Sequence, residues 1–321
     1  MILVTGCAGF IGSRVAKQLL ERGDEVVGVD NLNDAYDLRI KHWRLAQLSG
    51  STRFVFHPLD ITDSQAVKAL MRTHRFEAVI NLAARAGVTA SVAMPEAYLE
   101  TNVTGTLNLL NACRDHNIQK FVLASTSSLY GDSERPFKEC NPTDRPLSPY
   151  AASKKAAEAL SYSYHHLYGI DTTILRYFTV YGPAGRPDMS IYRFIHWIAR
   201  GEPVVIYGDG TQERDFTFVE DIARGTVAGL KRLGFEVINL GNDRPRSLLD
   251  VIALLERELG LEAEIRFESA HASDVPATWA HIARAEQLLG WRPETSLEEG
   301  LRATVNWRRE NEGWLDEVPL P

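Results

Sequence analysis

The chain opens with the stretch that decides its fold, Met1-Ile-Leu-Val-Thr-Gly6-Cys-Ala-Gly9-Phe-Ile-Gly12. A short apolar run passes directly into glycines spaced three residues apart, and a helical pattern of apolar residues follows. This order predicts a strand, a tight turn and a helix. Such a turn offers free backbone N–H groups and the positive end of a helix dipole, which together suit a pyrophosphate. Glycine is needed because a Cβ would hold the backbone away from the phosphates and the helix away from the strand.

An acidic residue at the end of the next apolar run indicates a dinucleotide site. Asp30 lies 18 residues after Gly12, near the spacing of about 20 residues at which a carboxylate holds the adenosine ribose hydroxyls. That carboxylate would repel a 2′-phosphate, and the stretch 31–34 contains no Arg or Lys. The sequence therefore favours NAD over NADP as the cofactor. The alternative is a glycine-rich turn in a purely structural βαβ unit.

Length, charge and cysteine content narrow the class of protein. The 321 residues are enough for two lobes, and 45% hydrophobic with 24% charged residues is ordinary for a globular protein. No apolar run approaches the roughly 18 residues of a membrane helix, and we expect no signal peptide. With a net charge of −7 and no long basic run, nucleic acid is not an expected partner. Scattered cysteines and histidines without ligand spacing predict a cytoplasmic protein and no metal site.

The first half of the chain alternates strand-like and helix-like segments. The predicted strands are 1–5, 25–30, 53–57, 77–82, 120–125 and 171–177. The predicted helices lie near 12–22, 38–49, 63–73, 96–116 and 150–168. This alternation indicates an α/β fold with a Rossmann-type, doubly wound parallel sheet, whose ligands bind at the carboxyl ends of the strands.

The composition changes after residue 178, where loops rich in glycine and proline begin. A strand at 236–240 should rejoin the main sheet, and helices near 247–259 and 280–289 should belong to a smaller lobe. We therefore predict an NAD-binding domain over 1–178, with a return at about 216–240, and a smaller C-terminal substrate-binding lobe over 179–321.

Tyr150-Ala-Ala-Ser-Lys154 places a phenol and an ammonium four residues apart on one face of a helix. A tyrosine with a pKa of about 10 is a poor base at neutral pH. We expect the Lys154 cation and a positive nicotinamide ring to lower the pKa of Tyr150. Thr126 follows the strand 120–125 and should share a hydrogen bond at the same rim. The alternative is a serine-rich turn and a surface tyrosine.

These motifs resemble the extended short-chain dehydrogenases/reductases, in the group of nucleotide-sugar epimerases and dehydratases. The shared motifs are Thr5-Gly6-x-x-Gly9-x-x-Gly12, Asp30-Asn31, Leu82-Ala-Ala84, Asn102-Val-x-Gly-Thr106, Ser125-Thr126, Tyr130-Gly131, Tyr150-x-x-x-Lys154, Leu175-Arg-Tyr-Phe178, Tyr181-Gly-Pro183 and Arg214-Asp-Phe216. Within this group the chain most resembles the UDP-glucuronate 4-epimerases, on the stretches 30–37, 176–189 and 274–279.

The resemblance implies an NAD-dependent isomerase that inverts C4 of a UDP-sugar through a transient 4-keto intermediate. Tyr150 would take the proton of the 4-hydroxyl, Lys154 would hold the nicotinamide ribose, and Thr126 would assist at the hydroxyl. The residues implied for the cofactor are Gly6, Gly9, Phe10, Ile11, Gly12, Asp30, Asn31, Asp60, Ile61, Leu82, Ala83, Ala84, Asn102, Tyr150, Lys154 and Tyr177. Those implied for the substrate are Thr126, Ser127, Ser128, Thr179, Arg186, Arg193, Arg214 and Asp274, with Arg193 and Arg214 on the pyrophosphate.

The residues around the substrate separate the branches of this group. By resemblance, 4,6-dehydratases place Asp-Glu after the threonine, whereas this chain has Ser127-Ser128, which cannot act as carboxyl acids or bases. UDP-galactose 4-epimerases carry Asn at the position of Thr179. The resemblance therefore favours conversion of UDP-glucuronate to UDP-galacturonate, with Arg186 as a charged partner for the carboxylate.

Other activities remain open at this point. The alternatives are a UDP-galactose/UDP-glucose 4-epimerase, a UDP-glucuronate decarboxylase, and an NAD-binding regulatory protein without catalysis. The resemblance also implies a homodimer, in which the helices near 96–116 and 150–168 pair with those of a second copy.

Overall fold

The computed structural model describes residues 1–269 and 275–320 of the chain. Its strands are β1 (Ile2–Thr5), β2 (Val26–Asp30), β3 (Phe54–Pro58), β4 (Ala78–Asn81), β5 (Lys120–Thr126), β6 (Asp171–Tyr177), β7 (Thr179–Tyr181), β8 (Val204–Tyr207), β9 (Glu213–Arg214), β10 (Phe216–Phe218), β11 (Phe235–Leu240), β12 (Arg246–Ser247) and β13 (Ile265–Glu268). Its α-helices are α1 (Phe10–Arg22), α2 (Leu38–Ala46), α3 (Ser64–Thr73), α4 (Val88–Ala93), α5 (Pro95–Leu99), α6 (Gly105–Asp115), α7 (Pro149–Tyr168), α8 (Ser190–Arg200), α9 (Val219–Ala228), α10 (Leu248–Leu259), α11 (Ala283–Leu289), α12 (Leu297–Glu310) and α13 (Glu312–Leu315).

A seven-stranded parallel sheet forms the centre of the molecule, in the order β11-β6-β5-β4-β1-β2-β3. The predicted doubly wound fold is confirmed, and β11 rejoins the sheet beside β6 as expected. The strand order reverses between β1 and β4, which opens a crevice at their carboxyl ends. The glycine turn after β1 and the segment after β4 both face that crevice.

Hydrophobic side chains cover both faces of the sheet, because successive residues of a strand point to opposite sides. On β4, Ile80 packs into the cluster that contains α1 and α9, while Val79 packs into the cluster that contains α3, α6 and α7. The sheet is therefore fixed between two helical layers. This arrangement holds the ends of its strands, and the site upon them, in place.

Two amphipathic helices of the C-terminal part were not predicted. α8 buries Ile191, Phe194, Ile195 and Ile198, a helical spacing that the sequence already displays, and α12 begins at a capping box formed by Ser296 and Glu299. Together with α10, β8 and β10 they enclose a third hydrophobic cluster. This cluster favours the predicted smaller lobe, whose boundary at residue 178 stays a prediction.

The predicted helix at 96–116 is interrupted by a turn of π-helix over Glu100–Thr104, between α5 and α6. The predicted helix at 280–289 begins later, at Ala283. In the described residues, every helix is too short or too polar to cross a membrane. Within the same part of the chain, His, Cys, Asp and Glu side chains form no group of three or more that could hold a metal ion.

Candidate active site

The glycine turn after β1 forms a cradle that side chains would fill. Gly6 has a φ of +68°, and a Cβ on it would lie 2.8 Å from the backbone nitrogen of Ala83. A Cβ on Gly12 would collide with the carbonyl oxygen of Gly6. Gly9 is the N-cap of α1, so the first backbone N–H groups of that helix open onto the turn. The turn therefore fits a dinucleotide pyrophosphate, as its spacing predicts.

Asp30 stands at the end of β2 as predicted, and the protein holds its carboxylate in a fixed position. The carboxylate accepts hydrogen bonds from the backbone N–H groups of Ala8 (3.2 Å) and Leu32 (2.9 Å). The Nζ of Lys41, on α2, lies 3.6 Å from Asp30 Oδ1, and both side chains are buried. Lys41 was not predicted, because it lies on α2, beyond the stretch 31–34 that directly follows Asp30 in the sequence.

Further hydrogen bonds lie at the carboxyl ends of the strands, where the cofactor is predicted to bind. The hydroxyl of Thr5 accepts hydrogen bonds from the backbone N–H groups of Leu82 and Ala83, at 3.1 Å each. Asp60 accepts a hydrogen bond of 2.7 Å from the Asn31 amide. Burial raises the pKa of Asp60, but hydrogen bonds from Thr62 and Asn31 outweigh burial and hold that pKa below its ordinary value.

Two of the residues predicted at the cofactor have side chains that form hydrogen bonds with other parts of the protein. Both N–H groups of the Asn102 amide are used, on Arg85 O (3.0 Å) and Ser153 Oγ (2.9 Å). The hydroxyl of Tyr177 lies 2.8 Å from Thr226 Oγ1 in the core. The side chains of Asn102 and Tyr177 therefore fix neighbouring segments, and contact of these residues with the cofactor stays a prediction. Ile61 is likewise buried, and Gly105 lies against it.

Tyr150 stands in the first turn of α7, whose N-cap Ser148 accepts a hydrogen bond from the Ala151 N–H. The pKa of Tyr150 is raised above its ordinary value, because burial outweighs the hydrogen bond with Thr126 and the positive charge of Arg186, both of which act to lower it. The sequence predicts that the Lys154 cation and a positive nicotinamide ring lower this pKa. Among the protein groups, Thr126 and Arg186 act in that direction, and the effect of a bound nicotinamide stays a prediction.

Lys154 lies one turn further along α7, fully enclosed, and donates a hydrogen bond of 3.0 Å to the carbonyl oxygen of Ala124. Burial lowers the pKa of Lys154 to about 8, and the negative charge of Glu158 opposes that shift. Glu158 in turn binds Arg176 and accepts a hydrogen bond of 2.6 Å from Ser125. Glu158 was not predicted, although its position four residues after Lys154 places both side chains on one face of the helix.

Beside these residues a cavity of about 380 Å³ opens between the sheet and the smaller lobe. Its polar lining includes five of the residues predicted to bind substrate, namely Ser127, Ser128, Thr179, Arg193 and Arg214. Phe194, Trp197, Val205, Ile206 and Leu248 supply an apolar wall. The Arg193 guanidinium lies 4.6 Å from the Trp197 ring, and its buried Nε has no hydrogen-bond partner within the described residues. A buried guanidinium N–H without a partner is suited to bind an anionic ligand.

Arg186 lies beside this cavity and is already paired. Its guanidinium binds the carboxylate of Asp188, which lines the cavity, and donates a hydrogen bond of 3.0 Å to Ala86 O. The aromatic ring of Tyr98 packs edge-on against Tyr150, with ring centroids 6.1 Å apart. Neither Asp188 nor Tyr98 was anticipated. Asp274, the remaining predicted substrate residue, lies outside the described residues.

A doubly wound sheet, a glycine turn followed by a carboxylate at the end of the next strand, and a tyrosine-lysine helix define a dinucleotide-dependent enzyme of the short-chain dehydrogenase/reductase class. The model of the GDP-mannose 4,6-dehydratase family matches residues 3–304, and the chain belongs to that family.

Comparison with individual proteins identifies similar epimerases. The chain is 57% identical to the UDP-glucuronate 4-epimerase of Thermodesulfobacterium geofontis over 310 residues, which cover 96% of each protein. It is similar to the structure of the Bacillus cereus UDP-glucuronic acid 4-epimerase in complex with UDP-glucuronic acid and NAD, with a TM-score of 0.92, 38% identity, and coverage of 97% and 99%. It is also similar to the Thermotoga maritima UDP-glucose 4-epimerase with UDP-glucose, with a TM-score of 0.90, 33% identity, and the same coverage.

Proposed function

We propose that this protein is an NAD-dependent UDP-glucuronate 4-epimerase, which interconverts UDP-glucuronate and UDP-galacturonate through a transient 4-keto sugar. The observation that carries the proposal is the row of hydroxyls beside Thr126. Ser127 and Ser128 line the cavity where a dehydratase of this family would present carboxyl groups, and Thr179 lines it where a UDP-galactose 4-epimerase would present Asn. The relatives with UDP-glucuronate activity support both the substrate and the cofactor.

Tyr150 is the base of this proposal, because its phenol is the group beside Thr126 that can take a proton from the 4-hydroxyl. Thr126 and Arg186 favour the phenolate, by a hydrogen bond and by charge respectively. The chemistry that NAD supplies when bound is the removal of a hydride from C4 and its return to the other face. Gly6, Gly12 and Asp30 would hold its pyrophosphate and ribose, and Lys154 its second ribose.

A 4-keto-uronate is a β-keto acid and loses CO₂ readily, so the enzyme must keep its carboxylate still. Ser127, Ser128 and Thr179 offer neutral hydroxyl donors for that carboxylate, and Arg186 stands beside them. The unpartnered Nε of Arg193 supports a pyrophosphate in the cavity, with Arg214 as a second cation.

A UDP-glucose/UDP-galactose 4-epimerase is the second candidate. The observation that favours it is the pairing of Arg186 with Asp188, which engages Nε and Nη2 of the guanidinium and offsets its charge towards a sugar carboxylate. The two candidates differ in the sugar and share the same base and cofactor.

The experiment that tests the proposal is to identify the product formed from UDP-glucuronate by NMR. We expect UDP-galacturonate, with neither a pentose product nor continued formation of NADH. UDP-glucose is the matched control, and we expect it to be converted more slowly. A pentose product would instead establish the decarboxylase, and faster conversion of UDP-glucose would establish the second candidate.

We also propose a homodimer in the cytoplasm. Helices α5, α6 and α7 pack together, and α5 and α7 expose Leu99 and Leu167 respectively. Exposed leucines on these helices suit contact with a second copy related by a twofold axis. Cys7, Cys113 and Cys140 are all free thiols, which is typical of a reducing compartment.

A further inference from the structure

Lys41 is a buried cation beside Asp30, where the sequence predicted a negative charge alone. Its side chain is 5% exposed, and that of Asp30 is 8% exposed, so water screens their interaction poorly. The distance of 3.6 Å between Lys41 Nζ and Asp30 Oδ1 makes them a buried ion pair. The carboxylate proposed to hold a ribose is therefore already paired with a buried cation.

The position of Lys41 does not depend on Asp30 alone. Its Nζ donates a hydrogen bond of 3.1 Å to Asn33 Oδ1 and lies 5.4 Å from the centre of the Tyr36 ring. Both partners belong to the loop between β2 and α2, and α2 is capped by the Asp37 side chain. The ammonium should therefore remain at the ribose end of the site when the Asp30 charge is removed.

We propose that Lys41 and Asp30 together determine the preference for NAD over NADP. In this pair the Asp30 carboxylate neutralises the Lys41 ammonium, which would otherwise bind the 2′-phosphate of NADP. This inference rests on the dinucleotide site of the proposed function. With Asp30 present, its carboxylate repels the phosphate and occupies the ammonium. Without that carboxylate, Lys41 is a buried ammonium that lacks an anion and can form a charge-assisted hydrogen bond to a phosphate. Preference for NAD then depends on the pair and not on Asp30 by itself.

The test is competition for the site in the purified protein. Wild type, Asp30→Asn, Lys41→Met and the double variant are each incubated with equal concentrations of NAD and NADP and then desalted. The retained dinucleotides are released with acid and quantified by chromatography, so that the readout does not depend on catalysis. Circular dichroism and thermal unfolding verify that each variant is folded.

We expect the retained ratio of NADP to NAD to rise at least about tenfold in Asp30→Asn, the size of one hydrogen bond to a charged group. The double variant should lose that gain, whereas Asp30→Asn combined with Lys41→Arg should keep it, because the cation is restored. Lys41→Met alone should retain less NADP than wild type, which tests the pair even if Asp30→Asn does not fold.

Equal NADP retention in Asp30→Asn and in the double variant would overturn the proposal, since Lys41 would then contribute nothing. A gain that Lys41→Arg fails to keep would also count against a role for its charge. Wild-type protein that retains neither dinucleotide would contradict the cofactor assignment in the proposed function, an outcome distinct from both of these.

Discussion

The Glu158 carboxylate binds the Arg176 guanidinium through both Nε and Nη2, at 2.9 and 2.8 Å, and both side chains are about 95% buried, with exposed fractions of 5% and 4%. Glu158 also accepts the hydroxyl of Ser125, the residue before Thr126. The pair thereby ties the end of β5 to the helix that carries Tyr150 and Lys154. Two strands and one helix meet at a single buried charge pair behind the candidate active site.

Replacement of Glu158 by Gln should destabilise the protein strongly. Removing one partner leaves the Arg176 charge buried and uncompensated, which costs about 3–5 kcal/mol of unfolding free energy. Urea unfolding measures the loss. Glu268→Gln is the matched control, because Glu268 pairs with Arg266 on the surface and such pairs contribute about 0–1 kcal/mol. Equal losses in the two variants would contradict the structural role of the Glu158–Arg176 pair.

The buried ammonium of Lys154 should make stability depend on pH. Burial lowers its pKa from 10.5 to about 8, so the unfolded chain binds more protons than the folded protein between these values. The free energy of unfolding contributed by Lys154 therefore rises with pH across that window, by roughly 3 kcal/mol when the window is complete. In Lys154→Met this contribution is absent.

Urea unfolding of wild type and Lys154→Met between pH 7 and about 9.5 checks this prediction. The difference between the two curves isolates Lys154, because all other groups titrate in both proteins. We expect wild type to gain stability relative to the variant as the pH rises above about 8. A constant difference over the whole range would show that Lys154 releases its proton at the same pH in the folded and unfolded states.

Local patterns predicted the sheet well, because each strand is a short apolar run that ends at a polar rim residue. Asp30 and Tyr150 were predicted from spacing, because each lies at a fixed distance along the chain from other residues of its motif. The pair formed by Lys41 and Asp30 was not predictable, because the path of the loop between β2 and α2 creates it. The contact between Glu158 and Arg176 similarly requires α7 to pack on β6.

Other differences from the sequence prediction have local causes that could have been recognised. The apolar residues of α8 recur at helical spacing, but its aromatic and β-branched residues have modest helix propensity and it follows a loop rich in glycine and proline. Asn102 was expected at the cofactor by resemblance alone. The π-helical turn at Glu100–Thr104 places its amide against Arg85 and Ser153, and its contact with the cofactor stays a prediction.

Tyr150→Phe should remove the base and leave the binding sites intact. We expect turnover of UDP-glucuronate to fall at least ~100-fold, the usual contribution of a general base, while the purified variant retains its dinucleotide. Tyr162→Phe, on the exposed side of the same helix, is the matched control and should retain wild-type turnover. Product formation by NMR and the dinucleotide content are the measurements. Near-normal turnover in Tyr150→Phe would assign the proton transfer to another group.

Leu99→Glu combined with Leu167→Glu should convert the proposed dimer into a monomer. Both leucines are exposed, at 49% and 64%, and a carboxylate in an apolar contact between copies would lose its hydration. Light scattering at micromolar concentration measures the mass. Leu261→Glu, an exposed leucine after α10, is the matched control and should leave the mass unchanged. A monomeric wild-type protein would remove the proposal.

Arg186 and Asp188 should set the affinity for a sugar carboxylate in opposite directions. Arg186→Ala should raise KM for UDP-glucuronate roughly tenfold to hundredfold, because a hydrogen bond to a charged group contributes about 1.5–3 kcal/mol. Asp188→Asn should lower that KM, since it releases the guanidinium that Asp188 now holds. KM for UDP-glucose, which has no carboxylate, should change little in either variant. Initial rates measured by NMR with both sugars give these values.

Thr179→Ala should damage the fidelity of the reaction as well as its rate. Thr179 lines the cavity beside Ser127 and Ser128, and its hydroxyl is one of the donors that would keep the carboxylate from turning. A carboxylate that turns freely can align its C–C bond with the π system of the 4-ketone, which permits loss of CO₂. We therefore expect some UDP-4-keto-pentose in solution and a matching amount of NADH on the enzyme, measured by NMR and by NADH absorbance. If wild-type enzyme interconverts UDP-glucose and UDP-galactose faster than the uronates, Thr179 does not serve a carboxylate, and the second candidate function replaces the first.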